Sequence, residues 1–229
     1  ECGPACLSLC QDVQGETFQY PEEFFKERIH NIRRPKPDDF QIKQAVEKIK
    51  NSKNPIIISG GGVFYSDAME ELSNFAVKHN IPVTQTVMGY STMKRDHSHF
   101  VGPIGGLGGK AANNLAKETD LAICIGTKLA DFTTGSWANF ENPQFKLVSI
   151  NIARHDANKH LAEAVIGDAK VSLIELSNAL GDWRSSDSWH KKSQDELKSW
   201  NEYVDKESGP TNQELPSYAH AVGAIYRNS

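Results

Sequence analysis

Three short apolar runs, each followed by glycine and separated by stretches of helical spacing, constrain this chain more than any other feature. Ile56-Ile57-Ile58 leads to Gly60-Gly61-Gly62, Leu121-Ala122-Ile123-Cys124-Ile125 to Gly126, and Ala164-Val165-Ile166 to Gly167. A run that is apolar at every position has no face to turn to water, so it belongs to a strand covered on both sides. Such strands occur in parallel sheets, whose neighbours are joined by helices lying across the faces. Ile81-Pro82-Val83-Thr84 and the segment from Leu147 to Ile152 fit the same role.

Between these runs the spacing predicts helices. Asp38 can cap one whose apolar residues Ile42, Ala45, Val46 and Ile49 fall at i, i+3, i+4 and i+7. A second, from about Asp67, carries Ala68, Leu72, Phe75 and Ala76 on one stripe. An Ala-rich third follows the Gly-rich region 102–109, and a fourth, capped by Asp168, runs to Leu180. The sum is an α/β fold: a Rossmann-like three-layer domain over residues 35–181, with a parallel sheet of about six strands, helices on both faces and right-handed crossovers.

The flanks read differently. Ala5 to Leu9 alternates like a strand, and the prolines of Arg33-Arg34-Pro35-Lys36-Pro37 resist both helix and central strand, which marks a linker. Beyond Gly181, Trp183, Trp189 and Trp200 sit among charged residues in an amphipathic helix. Such aromatic faces are expected to pack on a neighbouring domain rather than to form a core of their own.

Several function classes drop out on composition. A net charge of -4 over 229 residues gives no overall attraction to nucleic acid. No apolar run approaches the roughly 18 residues of a membrane span. The start, Glu1-Cys2-Gly3-Pro4, lacks both Met and a targeting pattern and reads as a trimmed piece of a cytoplasmic protein. Cys2, Cys6 and Cys10 are spaced by four, but Pro4 and the alternation around Leu7 and Leu9 favour extended chain without a fourth ligand, so no metal site is expected. His97 and His99 read as a solvated loop.

The glycines carry the remaining chemistry. Gly60-Gly61-Gly62 lies where a dinucleotide fold brings backbone N–H groups to a pyrophosphate. The fingerprint is incomplete: Ser66 fills the later glycine slot, and Thr84-Gln85-Thr86 offers no carboxylate for a ribose. Gly105 to Lys110 is not a phosphate loop, because Ala111 stands where a metal-binding hydroxyl belongs. Neither a nucleophile elbow nor an activated cysteine is present, so no catalytic residue is assigned.

The stretch from Thr119 through Gly126-Thr127-Lys128-Leu129-Ala130-Asp131-Phe132 to Gly135 resembles the middle domain of thiamine-diphosphate enzymes related to acetolactate synthase. Asp96-His97 before Gly102, Ala112-Asn113, and Ile150-Asn151-Ile152 followed by Asp156 and Lys159 extend the resemblance. Lys128 and Asn151 stand where flavin-binding relatives carry Arg and Asp, so neither FAD nor NAD is expected as a ligand. The candidate cofactor-facing residues are Gly60, Gly61, Gly62, Gly126, Thr127, Lys128 and Asn151.

The resemblance implies that residues 1–34 end an N-terminal pyrimidine-binding domain, and that 182–229 form a linker helix and the start of a C-terminal diphosphate-binding domain. It implies thiamine diphosphate and Mg²⁺ in the parent protein, with their ligands outside this chain, and a homo-oligomeric parent, dimer or tetramer. Gly3-Pro4-Ala5-Cys6, Arg33-Arg34-Pro35 and Leu215-Pro216-Ser217-Tyr218 look closest to the branch that hydrolytically opens a cyclic dione in inositol breakdown. A carboligase of the acetolactate synthase or glyoxylate carboligase kind is the alternative within the family. A free-standing nucleotide-binding module is the alternative outside it.

Overall fold

The computed structural model describes residues 5–228, and the chain divides into two units, Glu1–Arg33 and Arg34–Ser229. In the first unit the described residues form a short helix α1 (Gln11–Gly15) and a 3-10 turn at Glu22–Phe25, and all of them are exposed. The strand expected from Ala5 to Leu9 is not formed; those residues are irregular. Alternation alone does not make a strand, whose backbone groups need a partner, and no described residue pairs with this segment. Cys6 and Cys10 are exposed free thiols, while Cys2 lies outside the described residues.

The second unit is the layered domain. In chain order it comprises α2 (Asp39–Lys50), β1 (Pro55–Ser59), α3 (Gly61–Tyr65), α4 (Met69–His79), β2 (Val83–Gln85), β3 (Phe100–Pro103), α5 (Lys110–Glu118) and β4 (Leu121–Ile125). Then follow α6 (Asp131–Thr134), β5 (Lys146–Asn151), α7 (Arg154–Ala157), β6 (Glu163–Ile166), α8 (Ala169–Leu180), α9 (Asp187–Ser208) and α10 (Tyr218–Asn228). The six strands form one sheet in the order β3-β2-β1-β4-β5-β6, and every pairing is parallel.

Each apolar run of the sequence is a strand, and β1 and β4, the two most uniformly apolar, are buried at every position in the centre. The sixth strand is β3 on the edge, a segment that carries no apolar run because Gly102 and Pro103 occupy half of it. Proline is tolerated there because an edge strand has a free side. The helices start where polar caps allow. Asp38 accepts from Phe40 N, and Asp168 accepts from Lys170 N and Val171 N. The α4 helix begins at Met69 rather than near Asp67, whose φ of 53° breaks the helical path.

One face of the sheet buries Ile57, Ile123, Ile125 and Val148 under Ile49 of α2, Leu72 and Phe75 of α4, and Leu176 of α8. Complete burial of side chains such as Leu72 and Phe75 contributes about 1.5–3 kcal/mol each. The other face packs Ile56, Ile58, Ala122 and Cys124 against Leu115 of α5 and Trp189 of α9. This corrects the expectation that the Trp-bearing tail seeks a neighbouring domain. Trp189 is 3% exposed and donates its Nε1 hydrogen to Pro55 O at 2.8 Å. Leu197 and Trp200 pack against the same cluster. With Ser193 they fall on one helical stripe, a face diluted in sequence by the charged residues around it.

Arg34 of the linker is tied to the domain through the Asp168 carboxylate, beside the Asp168 N to Pro35 O bond at 2.9 Å and the Lys36–Glu175 ion pair at 3.3 Å. Asp168 Oδ2 accepts from Arg34 Nη1 at 3.1 Å and from Ser66 Oγ at 2.9 Å, while Oδ1 caps α8. Arg34 also donates to Ser66 O. Removing this carboxylate loses a cap, worth about 1 kcal/mol, and leaves a half-buried guanidinium and a buried hydroxyl short of an acceptor. Asp168→Ala is therefore expected to lower unfolding stability by about 2–3 kcal/mol in urea titrations. Asp168→Asn, which keeps a cap acceptor, should recover about half of that loss.

Candidate functional site at the carboxyl edge of the sheet

The strand order reverses between β1 and β4. In an open parallel sheet the crevice beyond the carboxyl ends at this point is the usual place for a ligand. The candidate residues all lie here: Gly60 follows β1, Gly61 and Gly62 open α3, Gly126, Thr127 and Lys128 follow β4, and Asn151 ends β5.

Their geometry shows what the glycines do. Gly60 N donates to Ile125 O at 2.8 Å, Gly62 N to Gly126 O at 3.0 Å, and Gly126 N to Ile150 O at 2.8 Å. A Cβ on Gly60 would stand 2.4 Å from Gly126 O, and one on Gly62 would stand 2.5 Å from Gly126 Cα. The loops after β1 and β4 thus press backbone on backbone, with Gly126 at a φ of +60°. Two of the three N–H groups that a pyrophosphate would use are already spent, Gly60 N on the last residue of β4 and Gly62 N on the loop after it.

The polar candidates are also tied within the chain. Thr127 is buried, and its Oγ1 accepts from Leu129 N at 3.3 Å. Asn151 donates Nδ2 to Thr127 O at 3.1 Å and accepts from Ala153 N at 3.0 Å. This amide bridges the β4 and β5 loops. Lys128 is exposed and makes no ion pair among the described residues. Around the edge stand Phe64, Tyr65, Met88, Leu107, Phe132 and Ile152, each 48% exposed or more. This apolar rim follows the ends of the strands and was missed from sequence, although large apolar residues just after each strand run were its signal.

Nucleophilic and metal chemistry find little support. Cys124 is a fully buried thiol whose pKa burial drives far up, so it stays protonated. Among the described residues no group of three or more His, Cys, Asp or Glu side chains is placed to hold a metal ion. The Asn113-Asn114 pair is structural: Asn113 exchanges hydrogen bonds with Gly105 N and O, at 2.9 and 3.0 Å, and Asn114 donates to Glu196 at 2.8 Å.

The reading of His97 and His99 as a solvated loop is also corrected. His99 is 6% exposed and stacks on His190 of α9, ring centroids 4.2 Å apart. It enters β3 directly, so its side chain is carried under α9 with the strand. No helix among the described residues is long and apolar enough to cross a membrane.

Comparison with known proteins adds a family. Residues 42–176 match the family described as thiamine pyrophosphate enzyme, central domain. The chain is 43% identical over 202 residues to the 3D-(3,5/4)-trihydroxycyclohexane-1,2-dione hydrolase of Clostridium perfringens strain 13, covering 88% of this chain and 32% of that protein. It is 46% identical over 178 residues to the protein of the same name from Clostridium tetani, covering 78% and 28%. With the corresponding hydrolase 1 of Bacillus cereus strain ZK the identity is 45% over 188 residues, covering 81% and 29%. The chain spans about a third of the length of the curated relatives it matches.

Proposed function

The chain belongs to the thiamine pyrophosphate enzyme family as its central domain, and we propose on that premise that it is the middle domain of a hydrolase that opens trihydroxycyclohexane-1,2-dione in myo-inositol degradation. The observation that carries this reading is the likeness to hydrolases of that name along most of the chain. In this reading residues 1–34 close a pyrimidine-binding domain, and residues 182–229 lead toward a diphosphate-binding domain. The parent is a cytoplasmic homo-oligomer that uses thiamine diphosphate and Mg²⁺.

The residues present do not fit a magnesium-bound diphosphate. A magnesium site needs octahedral oxygen ligands, and the one carboxylate that follows a glycine at a strand end, Asp168 after Gly167, is committed to Arg34, Ser66 and the α8 cap. The glycines after β1 and β4 are likewise committed to each other. We therefore assign this chain a positioning role, in which the sheet fixes the spacing of the domains that hold the cofactor. The apolar rim supports that role, since an exposed surface of this kind is suited to cover by protein. FAD and NAD are not its ligands in this reading.

The test is made on the full-length parent, purified with thiamine diphosphate and Mg²⁺ and offered the dione or pyruvate. Ring opening of the dione, dependent on the cofactor and yielding a free acid, is the expected outcome. Formation of acetolactate from pyruvate, with the dione untouched, would place the parent among the carboligases instead.

A further inference from the structure

Four of the eight histidines gather where α9 meets the sheet edge. His79, at the end of α4, is fully buried and donates Nδ1–H to Trp183 O at 2.7 Å. His97 accepts at Nδ1 from His99 N at 3.1 Å, which leaves Nε2–H to donate to Ser73 Oγ at 2.9 Å. His99 donates Nε2–H to Asn80 Oδ1 at 3.2 Å, and Asn80 passes the contact on, donating Nδ2 to Ser185 O at 3.2 Å and to Asp187 Oδ1 at 3.1 Å. His99 then stacks on His190 at an interplanar angle of 23°. The links from His79, Asn80 and His99 hold the 181–186 connector or the first turns of α9, while His97 ties His99 back to α4.

The seam is only partly satisfied. Ser185 Oγ, His190 Nδ1 and Gln194 Nε2 are buried without a hydrogen-bond partner among the described residues. A half-satisfied buried polar network is a weak point in a fold, since each orphaned group costs free energy that opening would return. The hydrophobic hold on α9 comes from Trp189 in its first turn and, further on, from Leu197 and Trp200.

We propose that this histidine seam is an acid-operated latch, which holds the connector and the first turns of α9 while its rings are neutral and releases them, ahead of the sheet, when they are protonated. The geometry favours neutral rings: His97 uses Nδ1 as an acceptor, and two cationic imidazoles stacked at 4.2 Å repel each other. The charged and titratable groups facing the seam are Lys78 on α4, Asp96 and His97 before β3, Arg184 in the connector, and Asp187 and His190 on α9. Asp96 favours the proton on His97, and Asp187 favours it on His190, but burial outweighs both. His99, buried and facing His190, His97 and Arg184, is pushed down to about 4.

The released segment binds more protons than the latched one. Latching is therefore fully favourable above the ordinary imidazole value of 6.5 and weakens as pH falls from there toward about 4.

Hydrogen exchange on the 229-residue chain, corrected for intrinsic rates and followed by mass spectrometry from pH 8 to pH 4, tests this. Peptides covering 181–194 should lose about tenfold or more of their protection within that window, while β1 and β4 keep theirs. His190→Phe, which keeps a ring for stacking and cannot titrate, should move the midpoint down by about half a pH unit or more. His190→Gln, neutral at every pH and smaller, is read the same way if the Phe variant does not fold. Loss of protection in α9 and the central strands at one common pH would overturn the latch. So would a midpoint that neither variant moves.

Discussion

Gly126→Val is expected to destabilise the chain by about 4 kcal/mol in the absence of any ligand. Two costs add. The new side chain must adopt a φ of +60°, which a β-branched residue rarely tolerates, and its Cβ would stand 2.5 Å from Gly62 Cα. Strain of the first kind costs about 1–3 kcal/mol, and overpacking of the second about 1–3 kcal/mol or more. For a chain of this size the sum corresponds to a fall in Tm of roughly 8–16 °C. Gly62→Val should lose the overpacking part alone, about 1–3 kcal/mol, because its Cβ meets the same backbone without a positive φ. A milder loss is expected for Gly61→Ala, whose nearest neighbour is Met88 O at 3.0 Å. Calorimetric scans of the three variants separate the two readings of this loop. Glycines kept only for a ligand's approach would leave the unliganded stability of Gly62→Val and Gly126→Val unchanged.

The sequence was most legible where one local pattern decides the structure. Ile56 to Ile58 could only be an interior strand, and the α2 stripe and the Asp168 cap each specify a helix without outside help. Legibility failed where the partner is distant. The edge strand β3 owes its pairing to β2 rather than to its own composition, since Gly102 and Pro103 disfavour a strand taken alone. The docking of α9 depends on Trp189 reaching Pro55 O, a contact that cannot be read from the charged residues around that tryptophan. At the candidate site the need for glycine was visible, but the object of the close approach was not. Gly126 lies three strands further along the chain, and only the sheet order brings it against Gly60 and Gly62. His99 was hidden for the same reason, because its polar neighbours in sequence are not its neighbours in space.

Separating the chain from its parent should abolish turnover altogether. Catalysis by a bound cofactor depends on holding cofactor and substrate in one geometry, and positioning alone can supply about 7–11 kcal/mol of the barrier. Here the carboxylate of Asp168, the Asn113-Asn114 pair and the glycines at the carboxyl edge are all engaged within the domain. None of them can exchange these partners for a diphosphate and its magnesium without loosening the fold that the domain exists to provide. In the proposed reading the role left to this chain is spacing, and its contribution to rate runs through the domains it separates.

Isothermal titration of thiamine diphosphate with Mg²⁺ into the 229-residue chain and, in parallel, into the full-length parent tests this claim most directly. The predicted result is saturable heat from the parent and none from the chain. Binding to the chain alone with a Kd in the low micromolar range, about -8 kcal/mol, would contradict it and place cofactor ligands within these residues.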